Sequence, residues 1–234
     1  MTGIGTENYI RESYLFIFAA LFFSIGYLVA RFYPEPISLY VSPNTPWGIF
    51  TSLLIYDGSG NVKFFLIFAF LFSAANAAHN RDLRVRRIIL SMEASVLGAV
   101  IANFLNLLLY LFTEPNGSSY GQSGVVYGLM GAAGSMALFD MTMYIMTAAE
   151  HAKRNDGSSS VLIESSYPRI AVSLTGLMII LSLTFIYSAI DIQAFYSIRS
   201  GIDSFVHSMA FASSGMIFVF SMYRHRRDLL WETI

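Results

Sequence analysis

Residues 14–33 have the sequence YLFIFAALFFSIGYLVARFY, in which Arg31 is the only charged residue. A helix of about 20 apolar residues is long enough to cross the hydrocarbon core of a bilayer, which is about 30 Å thick. Pro34 and Pro36 follow the run, and proline is expected to end the helix there. The stretch therefore predicts a transmembrane helix.

Five more runs of this kind follow, so the chain is predicted to be one all-α bundle of six transmembrane helices over residues 1–234. The predicted spans are about 14–33, 61–78, 88–112, 123–148, 169–190 and 203–223. Apolar side chains make up 55% of the residues and charged ones 12%, with a mean hydropathy of +0.57. A soluble domain carries roughly twice that charge, which excludes an ordinary soluble protein.

The basic residues predict the orientation of these spans. Most lie in three segments that six spans would place on one side: Arg81, Arg84, Arg86, Arg87, Lys153, Arg154, Arg169, Arg224, Arg226 and Arg227. By the positive-inside rule this side is the cytoplasm, so both termini are expected there. The N-terminal segment lacks a basic start and a cleavage site, which favours a retained first span. The expected location is the plasma membrane of a prokaryote.

The composition also excludes several kinds of site. The chain has no cysteine, so disulfides, thiolate metal sites and cysteine nucleophiles are ruled out. Its basic residues lie beside membrane spans instead of forming a patch on a folded face, so no nucleic-acid partner is expected. No metal or cofactor is predicted, and the lipid bilayer is the expected environment.

The outer end of the fourth span has the sequence Gly121-Gln122-Ser123-Gly124. One interpretation is that Gly and Ser cap the helix and pack it. The other is a nucleophilic serine, since the backbone N–H groups of a helix N-terminus are available to stabilise an oxyanion. Small residues recur below Ser123, and in lipid such a stripe lets another helix approach closely.

A histidine lies at the same predicted depth as this serine. His79, His151 and His225 are expected on the inner side, whereas His207 lies about one turn into the sixth span, on the outer half. Spans four and six would therefore present a hydroxyl and an imidazole to one another, as a Ser–His pair requires. The alternative is a lone imidazole hydrogen-bonded within the bundle, although ionisable groups inside membranes are usually functional.

These motifs resemble the rhomboid intramembrane serine proteases. The resemblance is carried by Gly-x-Ser-Gly at 121–124 with Tyr127, Gly128, Leu129 and Gly131, and by IDSFVH at 202–207 followed by small residues. It implies that Ser123 is the nucleophile, that His207 is the general base, and that Tyr127 packs against the imidazole. It also implies cleavage of membrane proteins at or near a transmembrane segment, from the outer side.

The resemblance assigns supporting roles to further residues. Gly121 and Gly124 would support the oxyanion site, and Phe195 and Tyr196 would cap a gate in the loop 191–202. The family usually has a histidine, and an asparagine four residues later, near the start of its second helix. Asn61 and Phe65 align with these two positions. Asn61 is expected to support the oxyanion site, because its amide can still donate a hydrogen bond, whereas the phenylalanine side chain has no donor.

Three functions compete on this basis. They are a serine protease with a Ser123–His207 dyad, a rhomboid-like pseudoprotease that binds membrane-protein clients, and a small transporter or channel. The last is disfavoured because the sequence has neither inverted repeats nor paired broken helices. The other acids have structural interpretations. Asp203 is expected to cap the sixth span, while Asp140 and Glu93 are expected to be interfacial groups near the inner face.

Overall fold

The computed structural model describes residues 13–33, 37–56, 58–76, 79, 81–113, 116–154, 174–186 and 201–224, with the backbone alone for 143–154 and 201–203. Its helices are α1 (Tyr14–Phe32), α2 (Gly48–Thr51), α3 (Ser59–Ala75), α4 (Arg81–Thr113), α5 (Ser123–Arg154), α6 (Leu174–Ile186) and α7 (Gly201–Arg224). Short 3-10 turns cover Ile37–Leu39 and Ser52–Leu54. Within these ranges there is no strand, so the all-α prediction is confirmed for the described residues.

Among the described residues, four helices are long and apolar enough to cross a membrane: α1, α4, the first 20 residues of α5, and α7 from Ser204. The segments Gly48–Leu54 and Ser59–Ala75 form a bent pair, with about 90° between them, that makes a fifth candidate. The described part of the predicted fifth span is α6, a shorter apolar helix. These helices support the prediction of a membrane protein.

Several helix ends differ from the predicted span ends. Helix α4 begins at Arg81, not near residue 88, and α5 continues to Arg154 beyond residue 148. Hydropathy reports the apolar part of a helix, while the backbone hydrogen bonds continue through charged turns outside the hydrocarbon. Residues 169–173 and 187–190 of the predicted fifth span lie outside the described residues.

Helices α4, α5 and α7 form the centre of the bundle, and their backbones touch at glycines. A Cβ added to Gly131 of α5 would overlap the carbonyl oxygen of Phe211 in α7, and one added to Gly98 of α4 would overlap Ser214 Oγ. At Gly128 the added atom would lie 2.6 Å from the carbonyl oxygen of Ser95. The small-residue stripes therefore do what the sequence predicted, since they let the three helices approach closely.

A buried ion pair joins α4 to α5 towards the predicted inner side. Arg87 Nη1 donates to Asp140 Oδ2 at 2.7 Å and Arg87 Nη2 donates to Asp140 Oδ1 at 3.0 Å. The side chains are only 1% and 4% exposed. Asp140 thus has a structural role, as predicted, because its carboxylate is enclosed and held in a bidentate pair, while its place at the membrane interface stays a prediction.

The end of α3 and the turn that follows it complete this cluster. Asn76 Oδ1 accepts a hydrogen bond from Arg87 Nη1 at 3.1 Å, and Asn76 Nδ2 donates to the carbonyl of Phe72 at 2.7 Å. His79 Nε2 lies 2.8 Å from Arg87 Nη1 and 3.4 Å from Asp140 Oδ2. Hydrogen bonds between these polar groups thus join α3, α4 and α5 at one level of the bundle.

Replacing Gly131 with alanine is expected to lower the free energy of unfolding by about 1–3 kcal/mol, because α5 and α7 must separate to admit the methyl group. The matched control is Gly60→Ala in α3, where nothing lies within 4 Å of an added Cβ. Alanine has the higher helix propensity, so this control is expected to be neutral or slightly stabilising. Thermal unfolding in detergent measures both variants, and equal behaviour would contradict the packing described above.

Arg87→Leu and Asp140→Leu are each expected to lower the free energy of unfolding by about 3–5 kcal/mol, because each leaves a buried charge without its partner. The double variant is expected to recover most of the loss, since neither charge remains. Exposed Arg86→Leu, one position earlier on the same helix, is the control. A double variant as unstable as the sum of the single ones would show that the two side chains are not coupled.

Candidate functional site

The turn that begins α5 presents Ser123. Gly121 has φ = 132°, a conformation that favours glycine, and its N–H donates to the carbonyl of Ser52 at 3.2 Å. The carbonyl of Gln122 accepts hydrogen bonds from the N–H groups of Val125 and Val126, at 3.1 and 3.4 Å. Ser123 is thus the first helical residue, and its side chain is half-buried.

The backbone around Ser123 has the features of an anion site. The N–H groups of Ser123 and Gly124 belong to the first turn of α5, where an α-helix supplies no acceptor of its own. The positive end of the helix dipole lies at the same place. A Cβ added to Gly124 would lie 3.3 Å from Ala99 Cβ and 3.9 Å from Leu53 Cδ2, so this turn lies close against α4 and the Ser52–Leu54 turn.

His207 lies in α7 with its ring against Tyr127 of α5. The two ring centroids are 4.0 Å apart and the planes are inclined by only 6°. Both side chains are half-buried. Tyr127 follows Ser123 by four residues and so lies one turn deeper on the same face of α5. The stack therefore places the imidazole on the face of α5 that carries Ser123.

Apolar side chains surround this stack. Ala102 of α4 packs with Val206 and Ala210 of α7 in a small buried cluster, against which Tyr127 and Met209 also pack. The residues on either side of His207 along the helix are thus held between α4 and α5. This packing restricts rotation of α7 and keeps the imidazole directed towards α5.

Two asparagines of α4, which sequence reasoning missed, hold the loops at the end of the bundle where Ser123 lies. Asn103 Nδ2 donates to Ser52 Oγ at 2.9 Å and to the carbonyl of Ile49 at 3.0 Å. Asn106 Nδ2 donates to Ser119 Oγ at 2.7 Å. Ser119 also exchanges two backbone hydrogen bonds with Val41, at 2.9 and 3.1 Å. Two amides three residues apart in an apolar span were the available signal, since polar groups inside a span usually have partners.

The residues aligned with the oxyanion donors of the rhomboid family lie on α3. Phe65 is buried, and its ring centroid lies 5.6 Å from that of Phe23 and 5.8 Å from that of Phe18 in α1. Asn61 is half-buried one turn nearer the start of α3, on the same face. Phe65 therefore belongs to the aromatic packing between α1 and α3.

The structure thus brings some of the predicted site residues close together and not others. It places Gly121, Ser123 and Gly124 in one turn and brings Tyr127 and His207 into contact. Phe195 and Tyr196, predicted to form the gate, lie outside the described residues. Within the described part of the chain, no group of three or more His, Asp or Glu side chains is placed to hold a metal ion.

Comparison with known protein families, with curated proteins and with solved structures finds no match to this chain. The function of the chain is therefore inferred from its own residues. The strongest of these observations is the stack between Tyr127 and His207, because it links the two helices that carry the serine and the imidazole.

Proposed function

We propose that this chain is an intramembrane serine protease of the rhomboid type, with Ser123 as nucleophile and His207 as general base. The observation that carries the proposal is the contact between Tyr127 and His207, whose centroids are 4.0 Å apart, one turn below Ser123. A hydroxyl at a helix N-terminus with an imidazole on the same face of that helix supports the proposal, because a general base must come within hydrogen-bond reach of the hydroxyl that it activates.

In the proposed reaction, His207 removes the proton from Ser123 Oγ as that oxygen attacks the scissile carbonyl of the substrate. The backbone N–H groups of the first turn of α5 stabilise the oxyanion. The imidazolium then gives its proton to the leaving amine, and an acyl-enzyme remains. Water, deprotonated by His207, attacks the ester, and the imidazolium returns this proton to Ser123 Oγ as the carboxylate product leaves. The ring of Tyr127 holds the imidazole in place during these proton transfers.

The proposed substrates are membrane proteins cleaved at or near a transmembrane segment. Ser123 begins a helix that is apolar enough to cross the membrane, so the serine lies near one end of a span and not at its middle. A peptide bond must leave helical structure to reach such a serine. Residues close to the end of a substrate helix meet that condition most easily, because the terminal turn lacks part of its hydrogen bonding.

A second candidate function is favoured by Phe65. Its ring is buried against α1 and supplies no hydrogen bond donor where the rhomboid family usually has an asparagine. Loss of one oxyanion donor typically costs about 10²–10³ in rate. A rhomboid-like pseudoprotease that binds membrane-protein clients without cutting them is therefore the alternative.

Ser123→Ala is expected to abolish cleavage of a single-pass transmembrane substrate, and also labelling by a fluorophosphonate probe. His207→Ala is expected to reduce both rates by about 10²–10⁴-fold, since a general base contributes that much. Purified protein in liposomes is the assay, and Ser118→Ala, an exposed serine of the outer loop, is the control. A wild-type protein that binds the substrate but is neither active nor labelled would favour the pseudoprotease.

The proposal includes six spans with both termini in the cytoplasm of a prokaryotic cell, so that Ser123 opens to the outside. The distribution of arginine and lysine supports this orientation. Because the chain contains no cysteine, single cysteines can report each side separately. Ser118→Cys is expected to react with a membrane-impermeant maleimide in intact cells, whereas Ser158→Cys is expected to react only after lysis. The reverse pattern would contradict an outward-facing serine.

A further inference from the structure

The side chain of Gln122, immediately before Ser123, is buried against α1. Gln122 is fully buried, and its Nε2 donates a hydrogen bond to the carbonyl oxygen of Phe22 at 3.2 Å. This contact joins residues 100 positions apart in the chain. The residue that precedes the proposed nucleophile is thus hydrogen-bonded to α1.

A glycine in α1 makes room for this amide. A Cβ added to Gly26 would overlap Gln122 Nε2 and would lie 2.8 Å from Gln122 Cδ. Gly26 continues the buried face of α1 that also contains Ala19 and Phe23. Any other residue at position 26 therefore has to displace the Gln122 side chain.

The burial of an amide here is costly. Gln122 Oε1 is buried and has no hydrogen bond partner in the described part of the chain. A buried polar atom without a partner destabilises a protein, whereas a methionine side chain of similar length would fill the same space without that cost. The amide therefore needs an explanation beyond filling space.

We infer that Gln122 is a positioning residue for Ser123. We also infer that α1 supports the catalytic site, because Gly26 leaves the space that the Gln122 amide occupies. The inference rests on the proposed function, because it assigns Gln122 a role at the same site. The carbonyl of Gln122 accepts the first hydrogen bonds of α5, from Val125 and Val126. Fixing its side chain therefore fixes the rotation of the first turn, and with it the direction of Ser123 Oγ.

The turn is restrained from two sides. The N–H of Gly121 donates to the carbonyl of Ser52, and the amide of Gln122 donates to the carbonyl of Phe22. These restraints act on consecutive residues and come from different parts of the fold. With only one of these bonds, the turn could still rotate about that bond. Both are therefore needed to hold a nucleophile in position for attack.

The test uses Gln122→Met, Gly26→Ala and the double variant Gly26→Ala/Gln122→Ala, with Gly60→Ala as the control for adding a methyl group to a helical glycine. Methionine preserves the volume of glutamine and removes only the amide. In the double variant, the shortened side chain at position 122 leaves space for the methyl group added at position 26. Three quantities are measured for each: the rate of fluorophosphonate labelling of Ser123, the melting temperature, and hydrogen exchange of the backbone amides at 123–126.

Gln122→Met is expected to keep the melting temperature and to label about 10–100-fold more slowly, because the serine is displaced and not removed. Gly26→Ala is expected to lower both the melting temperature and the rate of labelling. The double variant is expected to recover the melting temperature while labelling remains slow. Labelling of Gln122→Met at the wild-type rate would overturn the inference, because packing alone would then explain the contact.

Hydrogen exchange separates this inference from the proposed function. If the wild-type protein is not labelled at all, the protease proposal fails, but the anchoring of the turn is still measured by exchange at 123–126. Faster exchange there in Gln122→Met, at an unchanged melting temperature, supports anchoring by the amide. Unchanged exchange in that variant overturns it, whether or not the protein is an enzyme.

Discussion

The close approach of α4, α5 and α7 is the constraint on which the rest of the molecule depends. At Gly98, Gly128 and Gly131 an added Cβ would meet atoms of a neighbouring helix, two of them backbone carbonyl oxygens. Lipid provides no hydrophobic force between helices, so their association depends on such contact and on polar bonds. Because α5 and α7 touch through backbone, side chains on their neighbouring turns meet at short range, and His207 stacks on the ring of Tyr127.

Polar groups complete this packing at both ends of the bundle. Arg87 and Asp140 join α4 to α5 in a fully enclosed bidentate pair, and Asn103 and Asn106 of α4 hold the loops at the other end. Loss of a buried hydrogen bond is costly, so each bond favours one register between the elements that it joins. Helix α4 takes part at both ends and therefore sets the relative height of the turn that contains Ser123.

The sequence predicted these features to different degrees. Transmembrane helices, the small-residue stripes and the contact between Tyr127 and His207 follow from local spacing or from the family resemblance. The pair of Arg87 and Asp140 does not, because it joins positions 53 residues apart, and the positive-inside rule assigns this arginine to the cytoplasmic charges. Gln122 occupies the variable position of the Gly-x-Ser-Gly motif, so the pattern gave no reason to examine it. Its importance depends on Gly26, which is distant in sequence and looks like an ordinary small residue of a transmembrane helix.

Phe65, which aligns with an oxyanion donor of the rhomboid family, packs against α1, the same helix that contacts Gln122. Because Phe65 packs on Phe23, this part of α3 holds α1 in place instead of donating to an oxyanion. The buried face of α1 continues one turn further to Gly26, where it receives the amide of Gln122. The aromatic contact between α1 and α3 therefore helps to fix the position of α1, and α1 in turn contacts the turn that presents Ser123. If Ser123 is the nucleophile proposed above, stabilisation of the oxyanion falls mainly on the backbone N–H groups of α5, whose orientation we propose to depend on the packing of α1.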